Sequence, residues 1–329
     1  MTRASVPSSS RSSGGVPSRL SPAQSERLAS LLAETSRTFA LSIPLLDEPL
    51  RSEVTIAYLL FRIADTIEDE VDWSSGDKAR ALNVFTSLLN DGDFRSVAPD
   101  LIDSLATSEV AHAGYARLLA DTVFVLDCFA ALDAHQRELI ARHLTRTTEG
   151  MALQLETGVP PGDVAGARAY CYAVAGIVGE LCTELFTTRN PRLAEAHAAL
   201  IDLAPRFGEG LQLVNILRDE RDDAEAGRRY IPEEDCRRDL ADLAARDLHA
   251  AAAYVRTLEF NGASPGTVAF NALNVALAFE TLALVNSVGP GAKLSRERVA
   301  EMFATMRVAA NSGTPIVPLL ERSAACLGC

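Results

Sequence analysis

Residues 57–70, which read AYLLFRIADTIEDE, decide the fold of this chain. No Gly or Pro interrupts them, so they predict the main part of a helix that spans about residues 50–71. At about 3.6 residues per turn, one face of this helix carries four polar side chains, namely Tyr58, Arg62, Asp65 and Asp69. The neighbouring positions are apolar and predict a mostly buried helix. Its polar row must therefore face groups that satisfy it.

A second stretch repeats this design at residues 208–223, which read GEGLQLVNILRDERDD. Its polar face carries Gln212, Asn215, Asp219 and Asp223 in a helix that is otherwise Leu, Val and Ile. Each helix thus ends in a pair of aspartates four residues apart, whose charges repel unless a cation lies between them. Mg²⁺ typically binds one or two carboxylates and bridges to substrate phosphates. The two pairs predict a diphosphate held by several Mg²⁺ ions between two helices.

The composition favours one large helical domain. Hydrophobic residues make up 48% of the 329 residues, and period-two runs typical of strands are nearly absent, so we predict an all-α fold. The net charge of −13 argues against nucleic acid as a partner. We expect a disordered Ser/Gly/Pro-rich arm at residues 1–22, a single domain at 23–322 and a short tail at 323–329. The predicted helices span residues 23–35, 50–71, 77–90, 114–132, 134–157, 164–187, 191–224, 234–258, 265–288 and 294–310.

The expected location is the cytoplasm. The six cysteines are scattered or lie in the tail, which is typical of reduced intracellular thiols, and the N-terminal arm lacks the apolar core of a signal peptide. The longest apolar run, at residues 267–288, contains Asn271, Asn274, Glu280 and Asn286. A membrane span would rarely carry all four, so we predict a buried helix and no transmembrane segment.

Three further segments carry polar or small residues of interest, and the first two of them allow two interpretations each. In residues 169–181, which read AYCYAVAGIVGEL, the glycines permit close approach of a ligand or simply of another helix, and we expect Tyr170 at the wall of an apolar cavity. Arg228 and Arg229 follow the second acidic pair directly and can hold phosphate oxygens or balance the acids. Arg37 lies among small hydroxyl residues in a short motif, Ser-Arg-Thr-Phe.

Four segments of the chain, taken in order, resemble squalene and phytoene synthases, namely residues 36–39, 58–69, 170–179 and 212–232. The amino-acid sequence of these segments is more similar to the squalene branch of that family. The resemblance implies an all-α isoprenoid-synthase bundle with a central apolar cavity between the two acidic helices. It implies Mg²⁺ and head-to-head joining of two farnesyl diphosphates into presqualene diphosphate. A second half-reaction with NADPH would give squalene. Release of such a product implies peripheral contact with a membrane.

The resemblance also implies roles for individual residues. The catalytic set is Tyr170 with Asp65, Asp69, Asp219 and Asp223, and the metal ligands are these four aspartates and Glu68. The substrate-binding set is Arg37, Tyr58, Arg62, Gln212, Asn215 and Arg228, and the NADPH-binding set is Asn215, Arg218 and Lys293.

The chain departs from the eukaryotic squalene synthases in two ways. We expect no hydrophobic anchor after Leu320, and the basic stretch that the resemblance implies near the cofactor is present only as GAKLSR at residues 291–296.

Alternatives remain open at this stage. The same fold can stop at presqualene diphosphate, dehydrosqualene or phytoene without reduction, and either a C15 or a C20 substrate is compatible with the sequence. A non-catalytic binder of prenyl diphosphates is a second class, although such a binder does not need both acidic pairs. An all-α scaffold with solvated acids leaves Gln212 and Asn215 unexplained in an apolar helix.

Overall fold

The structure is a computed structural model that describes residues 20–70, 72–89, 98–107, 110, 112–157, 163–231 and 236–327. Residues 1–19 of the predicted arm and the end of the predicted tail lie outside the described residues. Within the described ranges every regular element is helical, so the all-α prediction is confirmed.

The helices have the following bounds in chain order: α1 Pro22–Thr35, α2 Phe39–Ser42, α3 Leu50–Asp69, α4 Ser75–Leu88, α5 Pro99–Ala106, α6 Ala113–Ala120, α7 Thr122–Ala130, α8 Ala134–Thr157, α9 Val164–Cys171, α10 Ile177–Arg189, α11 Pro191–Glu195, α12 His197–Glu225, α13 Cys236–Phe260, α14 Pro265–Val288, α15 Arg296–Ser312 and α16 Val317–Ala324. A π-turn, Tyr172–Gly176, joins α9 to α10, and 3₁₀ turns lie at Ile43–Leu45 and Ala325–Leu327.

The long predicted helices are confirmed within a few residues, but three of them are divided, one of which is the stretch at 164–187 that the π-turn interrupts. The stretch predicted at 114–132 is interrupted at Asp121, and the stretch at 191–224 is interrupted at Ala196. The short helices α2, α5 and α16 were not predicted from the sequence. They contain too few turns to produce a clear hydrophobic period.

Helix α14 forms a central part of the core. It and the segment Val164–Arg189 are both long and apolar enough to cross a membrane, but 83% of the apolar window of α14 is buried inside the protein. Two of its three asparagines bond to the backbone of their own helix, since Asn271 Nδ2 donates to Thr267 O and Asn274 Nδ2 donates to Phe270 O, each at 2.8 Å. The prediction of a buried helix is therefore supported by its packing.

The helices around the central cavity pack closely because small residues lie at their crossings. A Cβ atom on Gly208 of α12 would clash with the carbonyl oxygen of Ala175 in the π-turn, and one on Gly179 of α10 would clash with the carbonyl oxygen of Ala204. Both glycines therefore serve helix packing, which for Gly179 is the simpler of the two interpretations that the sequence allowed.

The helical part of the chain continues past residue 322, where the sequence analysis ended the domain. Ser323 is buried in α16, and its hydroxyl donates to Glu280 Oε1 at 3.1 Å. The same carboxylate accepts two hydrogen bonds from Arg298, at 2.8 and 2.6 Å. Residues 323–327 are thus tied to α14 and α15 and do not form a free tail.

Candidate active site

A cavity of about 220 Å³ lies between α3, α10, α12 and α14. Much of its lining is apolar, with side chains such as Phe61, Val178, Phe207, Leu211 and Phe270. Polar groups of the two acidic helices also reach it, namely Tyr58, Arg62, Asp65, Gln212 and Asn215. The sequence predicted a cavity between these helices, and these five residues of the two polar faces line its wall, whereas Asp69, Asp219 and Asp223 are not among the described lining residues.

The polar row of α3 forms a connected chain of contacts. Arg62 Nη1 lies 3.2 Å from Asp65 Oδ2, and Arg62 Nε donates to the Tyr58 hydroxyl at 3.3 Å. That hydroxyl in turn donates to Thr35 O at 3.0 Å, which fastens the end of α1 to the site. The Arg62 guanidinium also lies 5.5 Å from the ring centres of Tyr58 and Tyr115. Spacing on the helix produces the first two contacts, whereas Tyr115 was not predicted.

On α12, Asp219 is engaged by its neighbour in the sequence. Arg218 Nε donates to Asp219 Oδ1 at 2.8 Å, and Arg218 Nη2 donates to the second carboxylate oxygen. This bidentate pair is partly exposed, so its contribution to stability is small. Asp219 can therefore exchange Arg218 for another cation at a modest cost.

Arg228 joins the two acidic pairs. Its Nη1 donates to Asp69 Oδ1 at 3.0 Å, and its Nη2 and Nε donate to Asp223 Oδ1 at 3.1 and 3.3 Å. One guanidinium thus spans the ends of α3 and α12. The sequence allowed two roles for this arginine, which are binding phosphate oxygens and balancing the charge of the acids. The contacts in the structure correspond to the second role.

Three carboxyl groups of the site lie in surroundings that disfavour their ionised form, in spite of these partners. Burial raises the pKa of Asp65 to about 6, and the charge of Asp69 adds to the effect. Burial also raises the pKa of Glu68 to about 8, with Asp65 and Asp69 as further causes. The pKa of Asp223 is raised by burial as well. A cation bound beside these buried carboxyl groups would favour their ionised form and lower their pKa values.

The donor set fits Mg²⁺ shared with a phosphate ligand better than a cage made by protein alone. Within the described residues, no three Asp, Glu, His or Cys side chains converge into a ready metal site. Mg²⁺ usually needs one or two carboxylates, with waters and substrate phosphates in its remaining positions. The predicted ligands Asp65, Glu68, Asp69, Asp219 and Asp223 offer oxygen atoms from two sides for this arrangement.

Tyr170 lies beside the acidic region. Its ring stacks on Tyr230 with centres 4.9 Å apart, and its hydroxyl donates to the Tyr230 hydroxyl at 3.4 Å. Burial raises the pKa of Tyr170, and the charge of Glu68 contributes. The described side chains that line the cavity do not include Tyr170, in contrast to the expectation from the sequence. Tyr170 precedes the lining residue Val174 by a full helical turn, about 6 Å along the axis.

Two of the predicted cofactor residues, Arg218 and Lys293, lie near one another at the end of α12. The loop after α14 packs there, since Gly291 N donates to Arg218 O at 2.7 Å, and Lys293 Nζ lies 3.6 Å from Asp222 Oδ2. Lys293 is exposed, as is Arg37 in the segment between α1 and α2. Arg37 follows Thr35, the residue that accepts the Tyr58 hydrogen bond, by two positions.

Several side chains of the site were missed by sequence reasoning. Asn271 and Asn274 line the cavity, and Asn274 Oδ1 is buried without a hydrogen-bond partner among the described residues. The sequence could have indicated them, because two asparagines three residues apart in an apolar helix are buried polar groups that require hydrogen-bond partners. Tyr254 also lines the cavity, and its hydroxyl pairs with Thr183 Oγ1 at 2.9 Å.

Comparisons with known proteins agree with this geometry. Residues 32–261 match the model of the family described as squalene/phytoene synthase. Over 196 residues the chain is 34% identical to squalene synthase BSS of Botryococcus braunii, a match covering 59% of this chain and 39% of that protein. Over 206 residues it is 31% identical to squalene synthase of Homo sapiens, covering 62% of this chain and 45% of that protein. The chain thus matches less than half the length of these relatives.

A solved structure described as the complex of TcSQS with the ligand BPH1237 superimposes on the chain with a TM-score of 0.73. The alignment covers 92% of this chain and 97% of that chain, at 24% sequence identity. At this identity the likeness establishes the fold, which is the all-α isoprenoid-synthase bundle.

Proposed function

The chain belongs to the squalene/phytoene synthase family, and from this premise we propose that it joins two farnesyl diphosphates head to head. The proposed product of the first half-reaction is presqualene diphosphate, and the second half-reaction reduces it to squalene with NADPH. The observation that carries the proposal is an apolar cavity whose wall includes Arg62, Asp65 and Asn215 of the two acidic helices, and Arg228 bridges the ends of those helices.

In the proposed reaction the charged residues bind the diphosphate, and the apolar residues exclude water. Arg62 and Arg228 bind diphosphate oxygens, Arg62 from the cavity wall and Arg228 by exchanging its carboxylate partners for phosphate. Mg²⁺ bound by the aspartates supplies charge that stabilises the departing diphosphate. The apolar lining keeps water from the allylic carbocation that the departure leaves on the substrate.

We assign to Tyr170 the transfer of the proton that is lost in the first half-reaction. When one farnesyl chain attacks the other and the cyclopropane closes, a proton must leave the carbon skeleton. A neutral phenol beside Tyr230 and the acidic helix can relay this proton toward the released diphosphate. Its elevated pKa keeps the phenol protonated at neutral pH, so it acts by accepting and passing on a proton together with its partner hydroxyl.

The size of the cavity has a consequence for substrate binding. Its volume of about 220 Å³ is below the range of about 300–1,000 Å³ that is typical of ligand pockets. Two prenyl chains therefore require side-chain movement in the lining. Phe39 is a candidate, because it lines the cavity, is only half-buried and lies in the short helix α2.

Fewer observations support the assignment of the reductive half-reaction. Asn215 lines the cavity, and the loop that contains Lys293 is hydrogen-bonded to the backbone of Arg218, three residues further along α12. Neither Arg218 nor Lys293 is among the described residues that line the cavity. The basic side chains there suit the phosphates of a dinucleotide. If this half-reaction is absent, presqualene diphosphate or dehydrosqualene would be the product from farnesyl diphosphate, and phytoene would be the product from geranylgeranyl diphosphate.

The proposed location is the cytoplasm, with peripheral contact to a membrane. The product is a hydrocarbon, and its transfer into a lipid phase is strongly favourable.

The test is product analysis. Purified protein is incubated with farnesyl or geranylgeranyl diphosphate and Mg²⁺, with and without NADPH, and the lipid extract is analysed by mass spectrometry while pyrophosphate release is followed. Squalene that depends on NADPH is the expected result. Binding of farnesyl diphosphate without any release of pyrophosphate would overturn the proposal in favour of a non-catalytic binder.

A further inference from the structure

The π-turn Tyr172–Gly176 is an irregular element directly beside the proposed active site. It follows Tyr170 by two residues and contains Val174 and Ala175, which line the cavity. A π-turn contains one residue more than a regular α-turn and is most often found at functional sites. Since it is less favourable than a regular turn, other contacts must stabilise it.

Three side chains, Arg146, Tyr172 and Glu180, form a mutual set of contacts across this turn, which we name the brace. Arg146 lies on the neighbouring helix α8. Its Nη2 donates to the Tyr172 hydroxyl at 2.5 Å, and its Nη1 donates to Glu180 Oε2, also at 2.5 Å. The Tyr172 hydroxyl donates in turn to Glu180 Oε1 at 3.1 Å. The brace connects the beginning of the π-turn, the first turn of α10 and the adjacent helix.

The spacing of the brace depends on the π-turn. In a regular α-helix, residues about seven positions apart share a face, because two turns contain about 7.2 residues. Tyr172 and Glu180 are separated by eight positions and nevertheless contact one another. In an uninterrupted α-helix their directions would differ by about 80°. The extra residue of the π-turn brings them onto one face, so the brace can close only when that turn is present.

The same extra residue determines the direction of Tyr170. All residues before the π-turn are rotated relative to α10 by about 100°, the angle of one helical residue. Without it, Tyr170 would point away from its present direction, in which its ring stacks on Tyr230 at 4.9 Å. The close contacts of Gly150 with Ala173 and of Gly208 with Ala175 place α8 and α12 against the turn, but backbone packing of small residues does not depend on the spacing of Tyr172 and Glu180.

From this geometry we infer that Arg146, Tyr172 and Glu180 are positioning residues, which hold the π-turn and thereby direct Tyr170 toward Tyr230 and the acidic end of α3. The inference rests on the proposed function, because it is Tyr170 that acts in the proposed reaction. None of the three side chains lines the cavity among the described residues. They act through the turn.

The main variant is Tyr172→Phe, which keeps the ring and removes both contacts of the hydroxyl. Glu180→Gln and Arg146→Gln weaken the brace from its other two members, and Arg146→Lys keeps a charge and one contact. A matched control is Glu184→Gln. Glu184 pairs with Arg142 across the same two helices one turn further along, and it is connected to the brace only through His143, whose Nδ1 lies 3.3 Å from Arg146 Nη1.

The expected kinetic result is a fall in kcat for pyrophosphate release of about 10²-fold in Tyr172→Phe and Glu180→Gln, as is usual for small misplacements of a reacting group. KM for farnesyl diphosphate and the melting temperature change little, Arg146→Lys retains intermediate activity, and Glu184→Gln behaves as wild type. A loss of kcat in Glu184→Gln equal to that in Glu180→Gln would overturn the inference, because helix pairing alone would then explain it.

A crystal structure of Tyr172→Phe separates this inference from the proposed function. The expected structure has a regular α-turn at residues 172–176, or a Tyr170 ring displaced from Tyr230. An unchanged π-turn with an unchanged ring stack would overturn the inference whatever the kinetics. If the wild-type protein releases no pyrophosphate but the variant loses the turn, the brace is supported and only the proposed function fails.

Discussion

Arg228 Nη1 lies 3.0 Å from Asp69 Oδ1, so that residues 159 positions apart in the chain form an ion pair between the turn after α12 and the end of α3. The same guanidinium contacts Asp223. A single positive charge therefore serves both acidic pairs, and any ligand that binds between them must compete with it or use it. This relationship makes Arg228 the first residue to test.

Arg228→Gln is expected to weaken the binding of pyrophosphate in the presence of Mg²⁺. A hydrogen bond to a charged group contributes about 1.5–3 kcal/mol, which corresponds to a decrease in affinity of about 10- to 100-fold. Affinity for Mg²⁺ alone should not fall, because a competing cation has been removed. Isothermal titration calorimetry measures both quantities. The exposed neighbour Arg229, changed to Gln, is the control. Equal pyrophosphate affinity in wild type and Arg228→Gln would contradict the proposed clamp.

Asp65→Asn is expected to stabilise the protein at pH 8 in the absence of metal. Because the pKa of Asp65 is raised to about 6, its ionised form is disfavoured in the folded state, and wild-type stability decreases as the pH rises from about 4 to 6. The variant lacks this loss. The side chain is 34% exposed, so we expect a gain on the order of 1 kcal/mol at pH 8 and almost none at pH 4.

Melting curves at these two pH values with EDTA test the prediction for Asp65. A second readout is the stabilisation that Mg²⁺ and pyrophosphate together give to wild type, which should be smaller in Asp65→Asn. Activity should be lost. A variant that turns over at the wild-type rate would remove Asp65 from the metal site.

Asp219→Ala is expected to abolish turnover and leave the fold intact. The change removes a partly exposed pair with Arg218 and also relieves repulsion with Asp223 four residues away, so the two effects on stability are small and opposed. Asp222→Ala is the matched control, since this exposed neighbour pairs only weakly with Lys293, at 3.6 Å. Circular dichroism melting and pyrophosphate release distinguish the two aspartates. Similar losses of activity in both variants would point to general charge rather than to a specific ligand.

Tyr170→Phe and Tyr170→Ala should reduce turnover in that order. The Phe variant keeps the stack on Tyr230 and loses the hydroxyl contact, whereas the Ala variant loses both. Substrate binding should change less than rate, because the proposed role is in the chemical step. The Ala change also opens a cavity and costs about 3–5 kcal/mol of stability. Melting and single-turnover pyrophosphate release separate the effects, and a fully active Phe variant would leave Tyr170 as a packing residue.

Glu280→Gln tests the attachment of α16 through its dependence on pH. The hydrogen bond from Arg298 holds the pKa of Glu280 below its usual range, and the Ser323 hydroxyl assists. Its contribution to stability is thus present above the ordinary carboxyl pKa and is lost as the pH falls through the lowered value. We expect the variant to be destabilised by about 1 kcal/mol at pH 7, with the difference disappearing in acid. Chemical denaturation at pH 7 and pH 3 measures it, and a constant difference would exclude the ionised carboxylate as its source.

The sequence by itself determined the helical class, the bounds of the long helices and the acidic faces. These properties depend on the period of the α-helix. Arg62 contacts both Tyr58 and Asp65 because these residues lie four and three positions from it on the same helix. The family resemblance rested on the same local segments. The short helices and the interruptions at Asp121 and Ala196 were missed, since they carry too few turns for a period to appear.

Only the tertiary structure decided how these segments meet. The pairing of Arg228 with Asp69, the stack of Tyr170 on Tyr230 and the approach of Arg146 to the π-turn join residues that no local period relates. The π-turn itself is the clearest case, because the sequence predicted one regular helix there. A single extra residue in a turn changes the direction of every side chain before it, and its presence depends on contacts with α8 and α12 that form only when the whole chain has folded.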